Sequence, residues 1–249
     1  MKSYGDFAYV YDDLMSDVDY NARTDYILKL FKKHGKTPAL LLDLACGTGS
    51  FSNLIAARGI EVIGTDMSED MLSIAREKST DMGTDVLFLC QKAEELDLYG
   101  TVDGAICCMD SINHITNIKD LETAIARVSL FLEKDCLFIF DVNTAYKHKE
   151  VLGNNTFVIE QDDIFCVWQN EFREETLTTN IMLDFFVEED DGAYSRFSES
   201  FSERAYTKSQ LSEILESCDL EIVAVYGDMS EDSPTETCER EFYVVKKIR

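Results

Sequence analysis

Basic residues are scarce in this chain: 23 Lys and Arg stand against 48 Asp and Glu, a formal charge of −25 over 249 residues. A field of that sign repels phosphate backbones. The basic clusters, Lys29/Lys32/Lys33/Lys36 and Lys246/Lys247/Arg249, are small, so no nucleic-acid partner is expected. Long apolar runs are also missing. None approaches the roughly 20 residues of a membrane-spanning helix, and the start, Met1-Lys-Ser-Tyr-Gly-Asp-Phe, lacks the basic and apolar blocks of a signal peptide. The eight cysteines form no Cys-x-x-Cys pair and no paired spacing, which speaks against a disulfide framework or a metal site. Several of them (Cys46, Cys90, Cys107, Cys108, Cys136) sit in or beside apolar runs, where a thiol acts as a small hydrophobe. The expectation is a cytoplasmic protein with no membrane partner and no metal. At 45% hydrophobic residues the chain can bury one core, or one core plus a subdomain.

What is present is concentrated in one stretch. Leu40-Leu-Leu-Asp-Leu-Ala-Cys-Gly-Thr-Gly49 reads as a buried strand ending in an acid and a Gly-x-Gly turn, and Ile60-Glu-Val-Ile-Gly-Thr-Asp66 repeats the strand-then-acid unit. Gly47 and Gly49 allow a tight turn and the close approach of a ligand. Asp66, 17 positions after Gly49, is placed to accept hydrogen bonds from two ribose hydroxyls, a task that suits an acceptor-only carboxylate. The pattern is that of a nucleoside site. A dinucleotide fingerprint would want a third glycine where Ser52 stands, beside the bulky Phe51. No Lys-Ser or Lys-Thr follows the loop, so it is not a phosphate-cradling P-loop.

Strands and helices alternate through the first part of the chain. Strands are expected near 39–44, 60–65, 86–90, 102–108 and 136–141, and helices near 21–34, 50–58, 69–80 and 118–133. That order implies a parallel sheet with helices on both faces. Residues 155–206 then read as four strands joined by turns, with Leu177, Thr179, Ile181, Leu183, Phe185 and Val187 alternating on one apolar face. A helix near 207–217 and strands near 220–227 and 241–247 return to the main sheet. The expected fold class is α/β: a doubly wound, mostly parallel, seven-stranded sheet with an inserted antiparallel β-meander.

Asp-Leu-Ala-Cys-Gly-Thr-Gly resembles motif I of the class I S-adenosylmethionine (SAM)-dependent methyltransferases, and the order of elements fits that fold over nearly the whole chain. The N-terminal Tyr-x-x-Phe-Ala-x-x-Tyr-Asp-x-Leu-Met and the meander resemble a bacterial subgroup of small methyltransferases. The resemblance implies a SAM-binding Rossmann-like domain over 1–150 and 207–249, with 1–34 as an N-terminal lid and helix, and a β subdomain over 151–206 roofing the substrate pocket. It places Asp43, Ala45, Cys46, Gly47 and Gly49 along the methionine end and ribose, Asp66 on the ribose, and Met67 on the adenine. Motif III is expected to carry an acid near the adenine amine. Here the run is Cys90-Gln91-Lys92-Ala93-Glu94, with Lys92 in the acid's place, so either Gln91, Glu94 or a backbone carbonyl accepts from that amine or the adenine pocket is looser than in the family. Motif IV corresponds to Cys107-Cys108-Met109-Asp110-Ser111-Ile112-Asn113-His114, with Met109 covering the cofactor and Asp110 and Asn113 facing the methyl or the acceptor. Asp110 or Ser111 could equally cap a short helix, and His114 could be a general base or a packed residue. Tyr4 and Tyr11 of the lid would bond the cofactor carboxylate or face the sulfonium, as alternatives to packing on the core. Arg23 is a second candidate for the carboxylate by charge.

The function implied is methyl transfer to a small molecule, with a protein side chain as the other acceptor class. Residues 151–206 hold 13 acidic and three basic residues. If that excess faces the pocket, a neutral or cationic acceptor such as an amine is favoured over an anionic one. Trp168, Phe172, Phe185, Phe186 and Tyr206 are candidate apolar walls or else the meander's own core, with Glu203 and Arg204 as polar contacts. Two other classes remain open at this level: a SAM-binding module without catalysis, and a nicotinamide-dependent dehydrogenase.

Overall fold

The computed structural model describes residues 5–161, 163–189 and 191–249. Two helices come first, α1 (Gly5–Leu14) and α2 (Tyr20–Lys33). A strand-helix series follows: β1 (Leu40–Leu44), α3 (Ser50–Ala56), β2 (Glu61–Asp66), α4 (Glu69–Met82), β3 (Val86–Cys90), β4 (Val102–Cys107), the single turn α5 (Ser111–His114), α6 (Ile118–Phe131) and β5 (Leu132–Asn143). The meander is β6 (Thr156–Gln161), β7 (Ile164–Arg173), β8 (Thr178–Glu188) and β9 (Tyr194–Arg204). The chain closes with α7 (Lys208–Ser217), β10 (Leu220–Gly227) and β11 (Arg240–Lys247).

The seven-stranded sheet runs β10-β11-β5-β4-β1-β2-β3, parallel except where β11 runs against both β5 and β10. Strand order reverses between β1 and β4, and in such sheets the crevice at the carboxyl ends of those strands takes the ligand. The apolar stripe of α6 (Leu121, Ile125, Val128) packs on one face beside Leu211 and Leu215 of α7. Ile27, Leu30 and Phe31 of α2 and Ile55 of α3 cover the other. Ser68 caps α4 by accepting from the Met71 amide at 3.3 Å, as its position before two acids predicts.

Two boundaries differ from the sequence expectation. The strand expected over 136–141 begins at Leu132, directly off the end of α6, and carries a register shift in which Asp135 is left-handed (φ 64°). The polar Glu133-Lys134-Asp135 triplet hid that extension, because it neither alternates nor looks apolar. Leu177, expected on the apolar face of the third meander strand, sits instead in the preceding turn with φ 53°. The alternation starts at Thr179.

The meander is a four-stranded antiparallel sheet, β6-β7-β8-β9. Its inner face (Cys166, Ile181, Leu183, Phe185) packs against Phe7, Val10 and Leu14 of α1. The N-terminal helix thus lies between the meander and the main sheet.

Candidate active site

Backbone geometry singles out the crevice first. Gly47 and Gly49 take left-handed φ values, and so do three residues with side chains: Ala45 (55°), Met109 (55°) and Asp110 (52°). All lie just beyond the carboxyl ends of β1 and β4. Left-handed non-glycine residues cost about 1–3 kcal/mol each and persist where the surroundings over-determine them. At Gly49 only glycine fits, since a Cβ would come within 2.7 Å of the Ala75 Cβ.

Asp66 ties the two strand ends together. One carboxylate oxygen accepts from the Gly47 amide at 2.9 Å and the other from the Ser68 amide at 2.8 Å, which leaves acceptor capacity on both. Burial pushes its pKa up, against those two backbone hydrogen bonds. Beside it, a Cβ built on Gly47 would meet nothing within 4 Å, so the turn opens onto free space. Asp43 lies deeper, almost fully buried, and accepts from Ser52 Oγ at 2.5 Å. Burial raises Asp43 to about 7 despite that bond. Ser52, which stands where a dinucleotide site wants glycine, is therefore a partner of the motif I acid.

A hollow open to solvent runs along this turn, lined by Asp43, Ala45, Cys46 and Gly47 on one side, Cys108, Met109 and Ser111 on another, and Tyr11 and Tyr20 from the N-terminal helices. Tyr11, raised well above the ordinary tyrosine range by burial, faces Tyr20 and Asp110. Helix α1 is latched over the turn: Asp12 accepts from Thr48 Oγ1 at 2.8 Å and pairs with Lys78 at 2.7 Å. Tyr4 lies outside the described residues.

The loop after β4 is held from beneath. Asp141, near the end of β5, accepts from the Met109 amide at 2.8 Å and the Asp110 amide at 2.9 Å. Arg240 of β11 bridges Asp141 to Asp110, reaching the latter at 2.6 Å. Burial alone would raise Asp110, but Arg240, His114 and Lys147 outweigh it and hold the carboxyl below its usual range. Asp110 occupies the cap position of α5 without making a side-chain cap bond. Ser111 instead donates to the Cys108 carbonyl at 2.8 Å. Neither capping expectation describes the loop, which is shaped by Asp141 and Arg240.

Asn113 is fully buried, and backbone groups use up its amide. It donates to the carbonyls of Asn143 (3.0 Å) and Arg204 (2.9 Å) and accepts from the Asn143 amide (2.9 Å). It stitches α5 to β5 and β9, an arrangement that turns the amide away from the crevice role expected of it. His114 stands beside Asp110 and Glu203. Its ring lies 5.1 Å from that of Phe201, and its Nε2 is 3.7 Å from Glu203. Asp110, His114 and Glu203 bring one ligand atom each within 4.8 Å of one another, a convergence that residue spacing could not reveal.

On the adenine side, Met67 is 62% exposed at the strand end, as a residue covering a planar ligand would be. Gln91 spends its amide on both backbone groups of Asp97, at 3.0 and 3.1 Å. Lys92 is half-exposed, 4.0 Å from both Glu94 and Glu95, and Ala93 opens a 3-10 turn. Arg23 forms a two-point pair with Asp228 at 2.9 and 3.2 Å, so that guanidinium already has a carboxylate partner within the chain. Four of the candidate aromatic walls belong to other packing. Phe185 stacks on Phe197 inside the meander, Phe186 lies under Arg196, Trp168 donates to Asn170, and Tyr206 packs in the main core. Arg204 donates to the Thr116 carbonyl and lies over the Tyr206 ring.

Reading the sequence missed Tyr20, Thr48, Asp141, His148 and Arg240. Asp141 had a signal of the kind that marked Asp43 and Asp66, an apolar run (Cys136-Leu-Phe-Ile-Phe) closed by an acid. Arg240 and His148 had none, since they join the site only through the fold.

This fold and crevice are those of a class I SAM-dependent methyltransferase. A methyltransferase-domain family profile matches residues 41–135. YqeM of Bacillus subtilis (strain 168), a methyltransferase by name, is 33% identical over 247 residues, covering 99% of this chain and 98% of that one. The crystal structure of a SAM-dependent methyltransferase from Clostridium acetobutylicum ATCC 824 superposes with a TM-score of 0.90 at 33% identity, covering 99% of each chain. SAM-bound CalS10, an amino pentose methyltransferase from Micromonospora echinaspora, shares the fold at TM-score 0.77 and 16% identity, over 97% of this chain and 96% of that one. The chain belongs to the SAM-dependent methyltransferases, and SAM is its cofactor. The nicotinamide alternative falls with that assignment. Among the described residues, no helix is long and apolar enough to cross a membrane.

Proposed function

We propose that this enzyme methylates a small neutral or cationic acceptor, with an amine nitrogen as the nucleophile. The observation that carries this reading is Glu203, a carboxylate only 5% exposed on the inner face of β9, standing opposite Asp110 and His114 beside the loop after β4. Glu199, buried on the same face of β9, adds a second acid. An anionic acceptor would meet the Glu203 carboxylate, which has no Lys or Arg partner among the described residues, whereas an ammonium or amine finds an acceptor there. The amino pentose named for CalS10 is a substrate of that class.

In this reading Asp66 takes the ribose hydroxyls, Met67 covers the adenine, the turn from Ala45 to Gly49 cradles the methionine end with Asp43 beneath it, and Tyr11 lies over that end from the lid. Met109 covers the reacting centre, and Asp110 orients the acceptor. SAM supplies a methyl that is already activated. The protein's share is to align the nucleophile with it and to exclude water, worth several kcal/mol when the reacting atoms are held about 3–3.5 Å apart. The test is a panel of small amines, alcohols and phosphorylated compounds with methyl-labelled SAM. The reading predicts turnover of amines at least tenfold above phosphorylated compounds. Equal rates would overturn it.

A further inference from the structure

Methylating an amine leaves a proton to be disposed of. We propose that Glu203 is the catalytic residue that takes this proton from the acceptor ammonium, that His114 passes it to solvent, and that His148 is a positioning residue holding Glu203 from the buried side. The proposal rests on the amine reading above and names the residues that make it work.

The geometry is a carboxylate set between two imidazoles of opposite exposure. Glu203 Oε1 lies 3.7 Å from His114 Nε2, whose side chain is 45% exposed. Glu203 Oε2 lies 3.7 Å from His148 Nε2, whose side chain is completely buried. His148 Nδ1 bonds Thr179 Oγ1 at 2.8 Å, and its Nε2 has no hydrogen-bond partner. A buried imidazole nitrogen left unpaired costs free energy unless the site uses it, and the group in front of it is the Glu203 carboxylate. Asn143 Nδ2 steadies the same oxygen from 3.5 Å, and Lys147 Nζ in turn holds Asn143 Oδ1 at 3.0 Å. A movement of about 1 Å brings either imidazole into hydrogen-bond range of the carboxylate, a tightening common once a substrate fills such a site.

The two carboxylates that shape the loop after β4 are spoken for. Asp141 is bound by two backbone amides and by Arg240, and Asp110 by Arg240. Asp110 is held below its usual range, so it stays charged and attracts the ammonium without accepting its proton. Glu203 is pushed up to about 7, by burial first and then by Asp110, against His114 and Lys147. His148 is lowered to about 4 by burial and stays neutral. Two acids with environments that drive them apart divide the work between attraction and proton uptake.

The step balances as follows. The acceptor ammonium gives one proton to the Glu203 carboxylate and so frees its nitrogen lone pair. That pair forms the N–CH3 bond as the CH3–S bond breaks, with the departing electron pair remaining on sulfur. The proton on Glu203 moves to His114 Nε2, and His114 releases a proton from Nδ1 to water.

The test uses the full chain with the best amine from the acceptor panel. In the wild type, kcat should rise with pH through a group near 7. Glu203→Gln should lower kcat at least 100-fold and abolish that limb while calorimetric affinity for S-adenosylhomocysteine stays within twofold. Glu203→Asp should recover part of the rate. His114→Gln should lower kcat about tenfold and regain it in imidazole buffer. His148→Gln should move the pH limb. Retention of both kcat and the pH limb in Glu203→Gln would overturn the proposal, whereas a wild type inactive on every amine would overturn the amine reading instead. A readout free of any acceptor accompanies these: 13C NMR of the glutamate carboxyls should show one step near pH 7, assigned to Glu203 by its loss in Glu203→Gln. Absence of that carboxyl step would also sink the proposal.

Discussion

At the scale of single residues, the crevice is made by side chains whose partners lie far away in the sequence. Arg240 stands between two carboxylates at 9% side-chain exposure, and the loop carrying Met109 and Asp110 keeps its left-handed turn through Asp141. Removing one partner of a buried ion pair strands the other charge, typically at about 3–5 kcal/mol. Arg240→Met should therefore destabilise the protein by that order in a urea titration and lower turnover further by releasing Asp110. An unchanged midpoint would show that the triad is not structural. Asp43, Asp66 and the two glycines were legible in the sequence because strand, acid and turn are consecutive there. Glu203 was legible only as a polar contact of the meander, because its importance comes from being buried opposite α5. Asn113 was misleading: a motif position predicted a polar group in the crevice, and the amide is consumed by three backbone groups.

At the scale of elements, the close fit of β2 to β3 and the latch of α1 control the site. A Cβ on Gly64 would meet Phe88 at 2.7 Å and Cys46 at 3.1 Å, beneath the turn that Asp66 holds. Gly64→Ala should cost about 1–3 kcal/mol by overpacking and weaken cofactor binding, seen as a lower thermal midpoint and a smaller shift on adding S-adenosylhomocysteine. Helix α1 covers the crevice with Tyr11 and is tied down by Asp12, Thr48 and Lys78. The pair is partly exposed, so Asp12→Ala should change stability by less than about 1 kcal/mol. By stopped flow, the variant should exchange the cofactor several times faster; an unchanged dissociation rate would mean that α1 is not a gate. The doubly wound order and the meander were readable from periodicity. The contact of α1 with the meander was not, because α1 carries apolar side chains for both neighbours and no pattern says which face meets which.

At the scale of the whole molecule, a net charge of −25 is combined with two buried acids whose folded pKa is raised to about 7, Asp43 and Glu203. Between their ordinary values and about 7, each is ionised in the unfolded chain and protonated in the fold. The folded state then binds more protons, so stability falls as pH rises through that window. The cost, a few kcal/mol each, is absent below pH 4 and complete above pH 7. Glu203→Gln should thus gain on the wild type in thermal midpoint by more at pH 8 than at pH 5, and a gap that does not change with pH would contradict the assignment. The most direct test of the whole account is calorimetric titration of S-adenosylhomocysteine into the wild type and Asp66→Ala. The account predicts one saturable site, weakened at least tenfold in the variant while its circular dichroism is unchanged. Equal affinity in the two proteins would contradict it, because the turn and Asp66 would then not be where the cofactor is held.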